Sequence, residues 1–359
     1  MTTTKVAKMG AGFVADIHME SYTHIIPDAE VVAVYTPDLD KAKVFAHKWN
    51  IPSAYDNYSQ LLEECDCEIV DICLPNFLHC DVTVKAAEAG KHVIVEKPLC
   101  LSLAEADRMI EACHKNGKLL MYGEQLCFAP KYERVRKLVE EGAIGKIYML
   151  KQAEKHSGPH SAWFYNVDQS GGGVMMDMGC HAISWFLWIT KNAPVKSVYA
   201  QMNTYIHHPI TRGEDHVVCI VEFENGITAV CEDSWAKHGG MDDRIEIYGD
   251  GGVTYADLFM GNSALTYSRD GYGYAMEKAG DTKGWTFTVY EEVYNQGYPH
   301  ELKHFVQCVR TGSQPIVTGE DGRRALEIIH AAYASAGAGK KIEMPFPSTA
   351  NKPIDGWKK

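Results

Sequence analysis

The sequence predicts an α/β domain with a parallel sheet in residues 1–123, followed by an α+β domain with an open, mainly antiparallel sheet in residues 124–359. Three observations lead to this fold class. The chain has 359 residues, more than one core of about 150 residues accommodates. Up to residue 123, short apolar runs alternate with helical stretches. Beyond that point, long alternating runs follow one another with few helices between them.

Apolar runs rich in β-branched residues predict the strands of the first domain, at residues 31–35, 69–74, 92–95 and 119–122. Helices are predicted between them, at residues 38–49, 77–89 and 102–116. Gly90 and Gly117 end two of these helices, and Ser102 forms a capping box with Glu105 at the start of the third. Continuous apolar strands separated by helices are typical of a parallel sheet covered on both faces.

The second domain is predicted from alternating runs and turn signals. Its strands are expected at residues 146–152, 195–206, 216–223, 228–235 and 244–248. Helices are expected at residues 131–141, 174–189, 301–311 and 320–336. Asn225-Gly226 and Asp250-Gly251 predict tight hairpin turns, so that neighbouring strands run antiparallel.

Composition and charge exclude several function classes. The chain has 35 Lys and Arg against 47 Asp and Glu, a net charge of −12, which argues against nucleic acid or an anionic membrane as a partner. No apolar run reaches the roughly 18 residues that span a bilayer. The 11 cysteines include no C-x-x-C pair, so no metal site is predicted and a reducing, cytoplasmic location is expected.

The first chemical motif is GAGFVA at residues 10–15, which follows a short predicted strand and opens a helix. It matches the dinucleotide pattern G-x-G-x-x-G/A: Gly10 allows the tight turn, Gly12 lets the backbone approach a pyrophosphate, and the small Ala15 lets helix pack on strand. Because the motif starts a βαβαβ pattern, residues 1–123 are predicted to form a Rossmann dinucleotide-binding domain.

The choice of dinucleotide depends on the residues after the second strand. Thr36 stands where an NAD-preferring protein usually has Asp. Asp38, two residues later, could reach the ribose hydroxyls or cap the following helix, and both interpretations are open. NAD is favoured and NADP is not excluded.

Two further motifs carry ionisable groups. Glu96-Lys97-Pro98 follows an apolar strand, at the edge where open parallel sheets bind ligands; the alternative is a solvated charge pair. Asp177 and His181 are four residues apart in an apolar helix, so they would share one face. A carboxylate raises the basicity of a nearby imidazole, which suits proton transfer, whereas the alternative is a hydrogen-bonded core histidine.

Over nearly its whole length the chain resembles the Gfo/Idh/MocA family, which includes glucose–fructose oxidoreductase and inositol dehydrogenase. The matching segments are GAGFVA at 10–15, LPNFLH at 74–79, EKPL at 96–99, SGGGVMMDMGCH at 170–181 and HELKHFVQCVRTGSQPIVTGEDGRRAL at 300–326.

This resemblance implies a nicotinamide-dependent dehydrogenase acting on a sugar or cyclitol hydroxyl. His181 would be the general base, Lys97 would orient the hydroxyl and stabilise charge on its oxygen, and Asp177 would hold the substrate and His181. The implied cofactor residues are Gly10, Gly12, Phe13 and Val14 at the pyrophosphate, Thr36 and Asp38 at the ribose, and Leu74, Asn76, His79, Glu96, Lys97 and Gln125 near the nicotinamide.

The chain departs from the family pattern in two further places. Lys8 lies inside the first strand, where an apolar residue is usual, and the sequence offers no account of it beyond a phosphate contact or an ammonium that reaches solvent. Gln125 and Cys127 take the places of an amide and an arginine. Gln125 is expected to contact both the cofactor and the substrate. Because these two residues differ from the family pattern, the identity of the substrate is open.

Aromatic and histidine side chains suggest where a sugar would bind. Trp163, Tyr165 and His156 precede the apolar helix, and a second aromatic-rich stretch covers residues 272–298. Aromatic faces suit the apolar faces of pyranose rings, although an oligomer interface would also explain them. Seven residues are the expected substrate contacts: Lys97, Gln125, His156, Trp163, Tyr165, Asp177 and His181.

The predicted function is NAD(P)-dependent oxidation of a secondary ring hydroxyl, at C3 by family analogy, of a sugar or glycoside. The alternatives are a redox-neutral NAD-dependent enzyme that cleaves glycosides, a cyclitol (inositol) 2-dehydrogenase, and a dinucleotide sensor without catalysis. The alternating strands of residues 195–248 leave a second apolar face without an obvious cover, so a homo-oligomer, a dimer or a tetramer, is expected.

Overall fold

The computed structural model describes residues 3–259, 264–270, 283–288 and 292–357. The chain divides into two compact units, Met1–Phe128 with Gly297–Leu326, and Ala129–Gln296 with Glu327–Lys359. The first boundary lies close to the expected one at residue 123. The segment Gly297–Leu326, which was expected in the second domain, belongs to the first unit.

The first unit contains a six-stranded parallel sheet in the order β3-β2-β1-β4-β5-β6. Its strands are β1 (Thr4–Met9), β2 (Ala29–Tyr35), β3 (Ser53–Tyr55), β4 (Ile69–Ile72), β5 (His92–Glu96) and β6 (Leu120–Gly123). Its helices before residue 128 are α1 (Phe13–His24), α2 (Leu39–Trp49), α3 (Tyr58–Glu64), α4 (His79–Glu88) and α5 (Leu103–Lys115). This strand order is that of the Rossmann fold, which confirms the prediction.

Local sequence signals determine where the helices of this unit begin. Ser102 accepts a hydrogen bond from the backbone N–H of Glu105, and the Glu105 carboxylate accepts one from the N–H of Ser102, so the predicted capping box is present at α5. Each such cap stabilises a helix by about 1 kcal/mol.

The second unit contains a seven-stranded sheet in the order β12-β11-β7-β10-β9-β8-β15. Its strands are β7 (Ile147–Lys155), β8 (Val195–Asn203), β9 (His216–Phe223), β10 (Thr228–Ser234), β11 (Asp242–Gly249), β12 (Gly252–Asp257) and β15 (Ile342–Glu343). Only β7 and β10 pair in parallel. Hairpins follow β9 and β11 as predicted, and Gly226 in the first of them has φ +87°. The strands β13 (Ala264–Ser268) and β14 (Gly284–Thr288) pair antiparallel in a separate two-stranded sheet.

The remaining helices are α6 (Pro130–Glu140), α7 (Val167–Ser170), α8 (Val174–Asp177), α9 (Gly179–Ile189), α10 (Glu292–Gln296), α11 (Tyr298–Thr311) and α12 (Gly319–Ala338). One face of the large sheet is buried, as the strict alternation of buried and half-buried residues along β9 shows. The helix α9 is buried along almost its whole length and packs on β10 and β7. It therefore forms the centre of this unit's core.

The prediction of one continuous helix over residues 174–189 was wrong. The helix is interrupted at Met178, whose φ of −111° and ψ of −40° separate α8 from α9. The backbone N–H of His181 donates to the carbonyl of Met178, three residues back, at 2.9 Å. Asp177 thus ends one helix and His181 lies in the first turn of the next.

In the described part of the chain, no helix combines the length and the apolar character that crossing a membrane requires.

Candidate active site

The glycine-rich turn lies between β1 and α1, and its two glycines serve different purposes. Gly10 has φ +111°, and a Cβ there would lie 2.2 Å from the carbonyl oxygen of Cys73. Gly12 has an ordinary extended conformation, and a Cβ there would meet nothing within 4 Å. Gly12 is also the N-cap of α1, with no side chain capping the helix. The space before this helix start is open, and a helix N-terminus attracts an anion.

The ribose-side residues follow β2. Thr36 is 6% exposed. Asp38 is the N-cap of α2: its Oδ1 accepts hydrogen bonds from the backbone N–H groups of Asp40 at 3.0 Å and Lys41 at 3.1 Å. Of the two predicted roles of Asp38, the structure shows helix capping. Its contact with a ribose remains a prediction.

The loop after β4 is held from beneath by His79. This imidazole is fully buried, with Nε2 2.8 Å from the Leu74 carbonyl oxygen and Nδ1 3.0 Å from that of Pro98. Burial lowers the pKa of His79. His79 therefore fixes the loop that carries Asn76, and its contact with the cofactor remains a prediction.

Glu96 and Lys97 lie where β5 ends. Glu96 is 6% exposed, and its Oε2 accepts a hydrogen bond from the backbone N–H of Lys97 at 3.2 Å. The Lys97–Pro98 peptide bond is cis, and Lys97 is half-buried. A solvated surface pair, the alternative weighed from the sequence, does not describe this Glu96.

Lys8 is explained by ion pairing within the first unit. Its ammonium, which has no exposed surface, lies 2.8 Å from Oδ2 of Asp71 on the neighbouring strand β4. The same oxygen lies 2.9 Å from Nδ1 of His18, and Nε2 of His18 lies 2.9 Å from Oε1 of Glu96. Lys8 therefore does not reach solvent, and these four residues form a buried charge network beneath the strand ends.

Gln125 lies in a short 3₁₀ helix after β6 and is 4% exposed. Its side-chain oxygen has no hydrogen-bond partner among the residues that the structure describes. A buried amide oxygen without a donor is rare in proteins and indicates a missing partner. Cys127, in the position where the family pattern has an arginine, is buried and carries no charge.

In the second unit, Asp177 and His181 are each 3% exposed. The Asp177 carboxylate is held by Trp235, whose indole Nε1–H donates to Oδ2 at 3.0 Å. Trp235 follows directly after β10 and is fully buried. Sequence reasoning placed it in a strand and assigned it no role, although a buried tryptophan usually gives its N–H a partner.

Aromatic side chains surround Trp235 within the same unit. The Tyr165 ring lies edge-on to Trp235 at 6.0 Å, and the rings of Trp163 and Phe164 are stacked at 3.8 Å. The backbone N–H of His156 donates to the Ser234 carbonyl, which fixes the start of this loop beside β10. The structure therefore brings Tyr165 and Asp177 into contact with the same indole. Most of the aromatic stretch 272–298 lies outside the described residues.

A second group that the sequence did not reveal holds the start of α8. Glu214 is fully buried, and its carboxylate accepts hydrogen bonds from the Tyr333 hydroxyl at 2.7 Å and from the backbone N–H groups of Met175 at 2.8 Å and Gly173 at 3.2 Å. Burial raises the pKa of Glu214 to about 7 against the effect of these donors. A Cβ at Gly173 would lie 1.9 Å from the Glu214 carbonyl oxygen, which explains a glycine at this point of the motif.

The Rossmann sheet, the open glycine turn and the lysine at the strand end define a class, the NAD-dependent dehydrogenases. Comparisons with known proteins agree. The model of the oxidoreductase family with an NAD-binding Rossmann fold matches residues 4–124, and that of the GFO/IDH/MocA C-terminal domain matches residues 132–254. The chain belongs to the GFO/IDH/MocA family, as its motifs predicted.

Named relatives and solved structures cover almost the whole chain. The myo-inositol 2-dehydrogenase of Thermotoga maritima is 28% identical, covering 95% of this chain and 98% of the relative. The D-glucoside 3-dehydrogenase of Escherichia coli is also 28% identical, covering 95% of this chain and 97% of the relative. The crystal structure of GenD2 from gentamicin A biosynthesis, in complex with NAD, has a TM-score of 0.91 at 28% identity and covers 96% of this chain and 97% of GenD2.

The residues present fit NAD, which is the cofactor of this dehydrogenase. The open space before Gly12 and the uncapped helix start suit a pyrophosphate, and the lone Gln125 oxygen suits an amide donor. When bound, NAD accepts a hydride from a carbon atom of the substrate.

Proposed function

We propose that this protein oxidises a secondary ring hydroxyl of a sugar or glycoside to a ketone, at C3 of a glucosyl unit. The observation that carries the proposal is the buried Asp177 carboxylate, held by Trp235 and close in sequence to His181, inside a group of aromatic side chains. Ring faces and a paired acid and base are what recognition and deprotonation of a sugar hydroxyl require.

The residues divide the chemistry as follows. His181 removes the hydroxyl proton, and Asp177 holds the substrate and His181. Lys97 donates to the hydroxyl oxygen, where negative charge develops as the proton leaves. Trp163 and Tyr165 face the ring, and Gln125 and His156 offer hydrogen-bonding groups.

A cyclitol is the second candidate substrate, and a specific observation favours it. The inositol dehydrogenase of Thermotoga maritima and the glucoside dehydrogenase of Escherichia coli are equally similar to this chain, at 28% identity each. A cyclitol and a pyranose present similar rings of equatorial hydroxyls, so the contacts named above suit both.

A substrate panel distinguishes these candidates. The purified protein is given NAD with glucose, methyl and aryl β-glucosides, and myo- and scyllo-inositol, and both NADH absorbance and the products are followed. NADH with a 3-keto glycoside supports the proposal, and NADH with inositol alone assigns a cyclitol dehydrogenase. Release of the aryl alcohol without net NADH identifies the redox-neutral cleavage, whereas bound NAD without turnover leaves the sensor.

We further propose that the large sheet associates with its copy in another subunit through its second face. Tyr148, Tyr199 and Tyr255 in this sheet are exposed, at 53%, 39% and 64%, and another subunit would cover them. Light scattering should therefore give the mass of a dimer or a tetramer. A monomer at micromolar concentration would contradict this proposal.

A further inference from the structure

The buried charge network of the first unit continues from β1 to the end of β5. Lys8 on β1 contacts Asp71 on β4, Asp71 contacts His18 on α1, and His18 contacts Glu96 on β5, with each link between 2.8 and 2.9 Å. Glu96 then accepts the backbone N–H of Lys97 through its second oxygen. A series of charged side chains with almost no exposed surface thus ends at the residue that is expected to contact the reacting hydroxyl.

Neither stability nor metal binding explains this arrangement. Replacing a buried ion network by apolar residues of similar volume is often neutral or stabilising, so such a network is weak evidence for a purely structural purpose. His18, Cys73 and Glu96 have ligand atoms close enough together for a metal ion. However, the Lys8 ammonium lies 2.8 Å from the Cys73 sulfur, and it already supplies the positive charge there.

The charges of the network balance when His18 is an imidazolium. Burial and the Lys8 ammonium, 3.0 Å from Nδ1, disfavour this form, but Asp71 and Cys73 together outweigh them and raise the pKa of His18 well above its usual value. Burial likewise opposes ionisation of Glu96, yet the hydrogen bond from His18 holds the pKa of Glu96 below its usual value. Two cations, Lys8 and His18, then face two anions, Asp71 and Glu96.

Two other ionisable groups that face the network, Tyr22 and Glu301, add no charge to it. Tyr22, also on α1, is fully buried beside Asp71, and its pKa is raised by burial, so the phenol is neutral. Glu301 on α11 has no exposed surface, and neither of its oxygens has a hydrogen-bond partner within the described residues. Burial and the charge of Glu96 raise the pKa of Glu301 well above its usual value, so this carboxyl is protonated. Tyr298, at the start of α11, covers the imidazole with ring centroids 5.8 Å apart.

We propose that His18 is a positioning residue that keeps the Glu96 carboxylate ionised and fixed at the strand end, so that the oxidised cofactor is bound more tightly relative to the reduced one. The oxidised nicotinamide ring carries a positive charge and the reduced ring does not, so a fixed anion nearby discriminates between them. The proposal rests on the proposed function in one respect, the binding of the nicotinamide near Glu96.

The test compares the dissociation constants of NAD and NADH, measured by calorimetry or fluorescence from about pH 6 to about pH 9. In the wild type their ratio is expected to be flat, because Glu96 stays ionised. In His18→Gln the imidazolium is lost, the pKa of Glu96 rises, and the preference for NAD should fall about tenfold at the acidic end and recover at the alkaline end. A ratio in His18→Gln as flat as in the wild type would overturn the proposal.

Two controls keep this result specific. Glu96→Gln should show the lowered preference for NAD at every pH, because its side chain cannot ionise. His304→Gln replaces another histidine of the same unit that has no contact with the network within the described residues, and it should behave as the wild type. If Glu96→Gln keeps the wild-type preference for NAD over NADH, or if His304→Gln loses it, the charge of Glu96 does not set that preference.

A measurement on the wild type without cofactor covers the case in which His18→Gln does not fold. The ¹⁵N chemical shifts of the ring nitrogens of His18 report its protonation directly. An imidazolium at neutral pH supports the proposal, and a neutral ring would refute it. This readout and the binding ratio need no substrate, so they stand even if every sugar and cyclitol in the panel fails as a substrate.

Discussion

The substitution Gly12→Val should abolish NAD binding while leaving the fold intact. Gly12 has φ −98° and ψ −169°, an extended conformation that valine adopts readily, and a Cβ there would meet no atom within 4 Å. The new side chain would instead fill the open space before the first amides of α1. A pyrophosphate needs that space to accept hydrogen bonds from these amides.

The two effects differ in size. With no clash and no backbone strain, we expect the free energy of unfolding to change by about 0.5 kcal/mol or less. A hydrogen bond to a charged group contributes about 1.5–3 kcal/mol, so losing two of them at the pyrophosphate raises the Kd of NAD by at least about 100-fold.

The matched control is Gly10→Ala, two residues earlier in the same turn. At Gly10 the φ of +111° disfavours alanine, and its Cβ would lie 2.2 Å from the carbonyl oxygen of Cys73. Strain and overpacking together should cost roughly 2–6 kcal/mol of stability, a fall of roughly 5–15 °C in Tm. Calorimetry gives both the Kd and the Tm of each variant. A Gly12→Val protein that binds NAD like the wild type would show that α1 does not hold the pyrophosphate.

Four further outcomes follow from the site. His181→Ala should lower kcat by roughly 10²- to 10⁴-fold with little change in the Kd of NAD, and steady-state kinetics with a cofactor titration would reassign the base if kcat stayed near the wild-type value. Lys97→Ala should slow the same step and also raise the KM of the substrate, which the same kinetics measure; an unchanged KM would limit Lys97 to the chemical step. Trp235→Phe removes the donor to Asp177 at 3.0 Å and should lower kcat/KM by about tenfold or more, whereas an unchanged value would mean that Asp177 needs no such support. Glu214 has a pKa of about 7 in the folded chain against 4.5 in its unperturbed form, so the folded state binds its proton more tightly and stability falls by about 3 kcal/mol as the pH rises through this window. Urea unfolding of Glu214→Gln should lack that part of the pH dependence, and a pH dependence identical to that of the wild type would show that Glu214 does not titrate there.

The first unit could be predicted from the sequence because its signals are local. Continuous apolar strands, helix caps and the glycine motif each depend on residues a few positions apart, and they led to the parallel sheet, although not to its edge strand β3 or to α3. The sequence did not place α11 in this unit, because an amphipathic pattern predicts that a helix has a buried face but not which element covers that face. Lys8 was unexplained for a related reason, since its partner Asp71 lies on the next strand of the sheet and only the strand order brings them together.

The site of the second unit shows where spacing arguments fail. Asp177 and His181 were expected on one face of a single helix, and the break at Met178 divides them between α8 and α9. What positions Asp177 is Trp235, at the end of a strand far along the chain, and its contact depends on how α8 packs on the sheet. The chemistry of Asp177 and His181 could be predicted from the sequence, whereas the contact that orients Asp177 is visible only in the tertiary structure.

Each unit contains a buried glutamate, but their surroundings shift the pKa of the two side chains in opposite directions. The two units should therefore respond differently to pH. Glu96 faces an imidazolium, which holds its pKa below the usual value, so it stays ionised throughout the neutral range. Glu214 receives hydrogen bonds from neutral donors only, and burial raises its pKa to about 7. As the pH rises from about 4.5 to about 7, Glu214 ionises and the second unit loses stability, whereas the charge of Glu96 does not change. Between about pH 6 and about pH 7, the stability of the wild type should therefore fall with pH while its relative affinity for NAD and NADH stays constant.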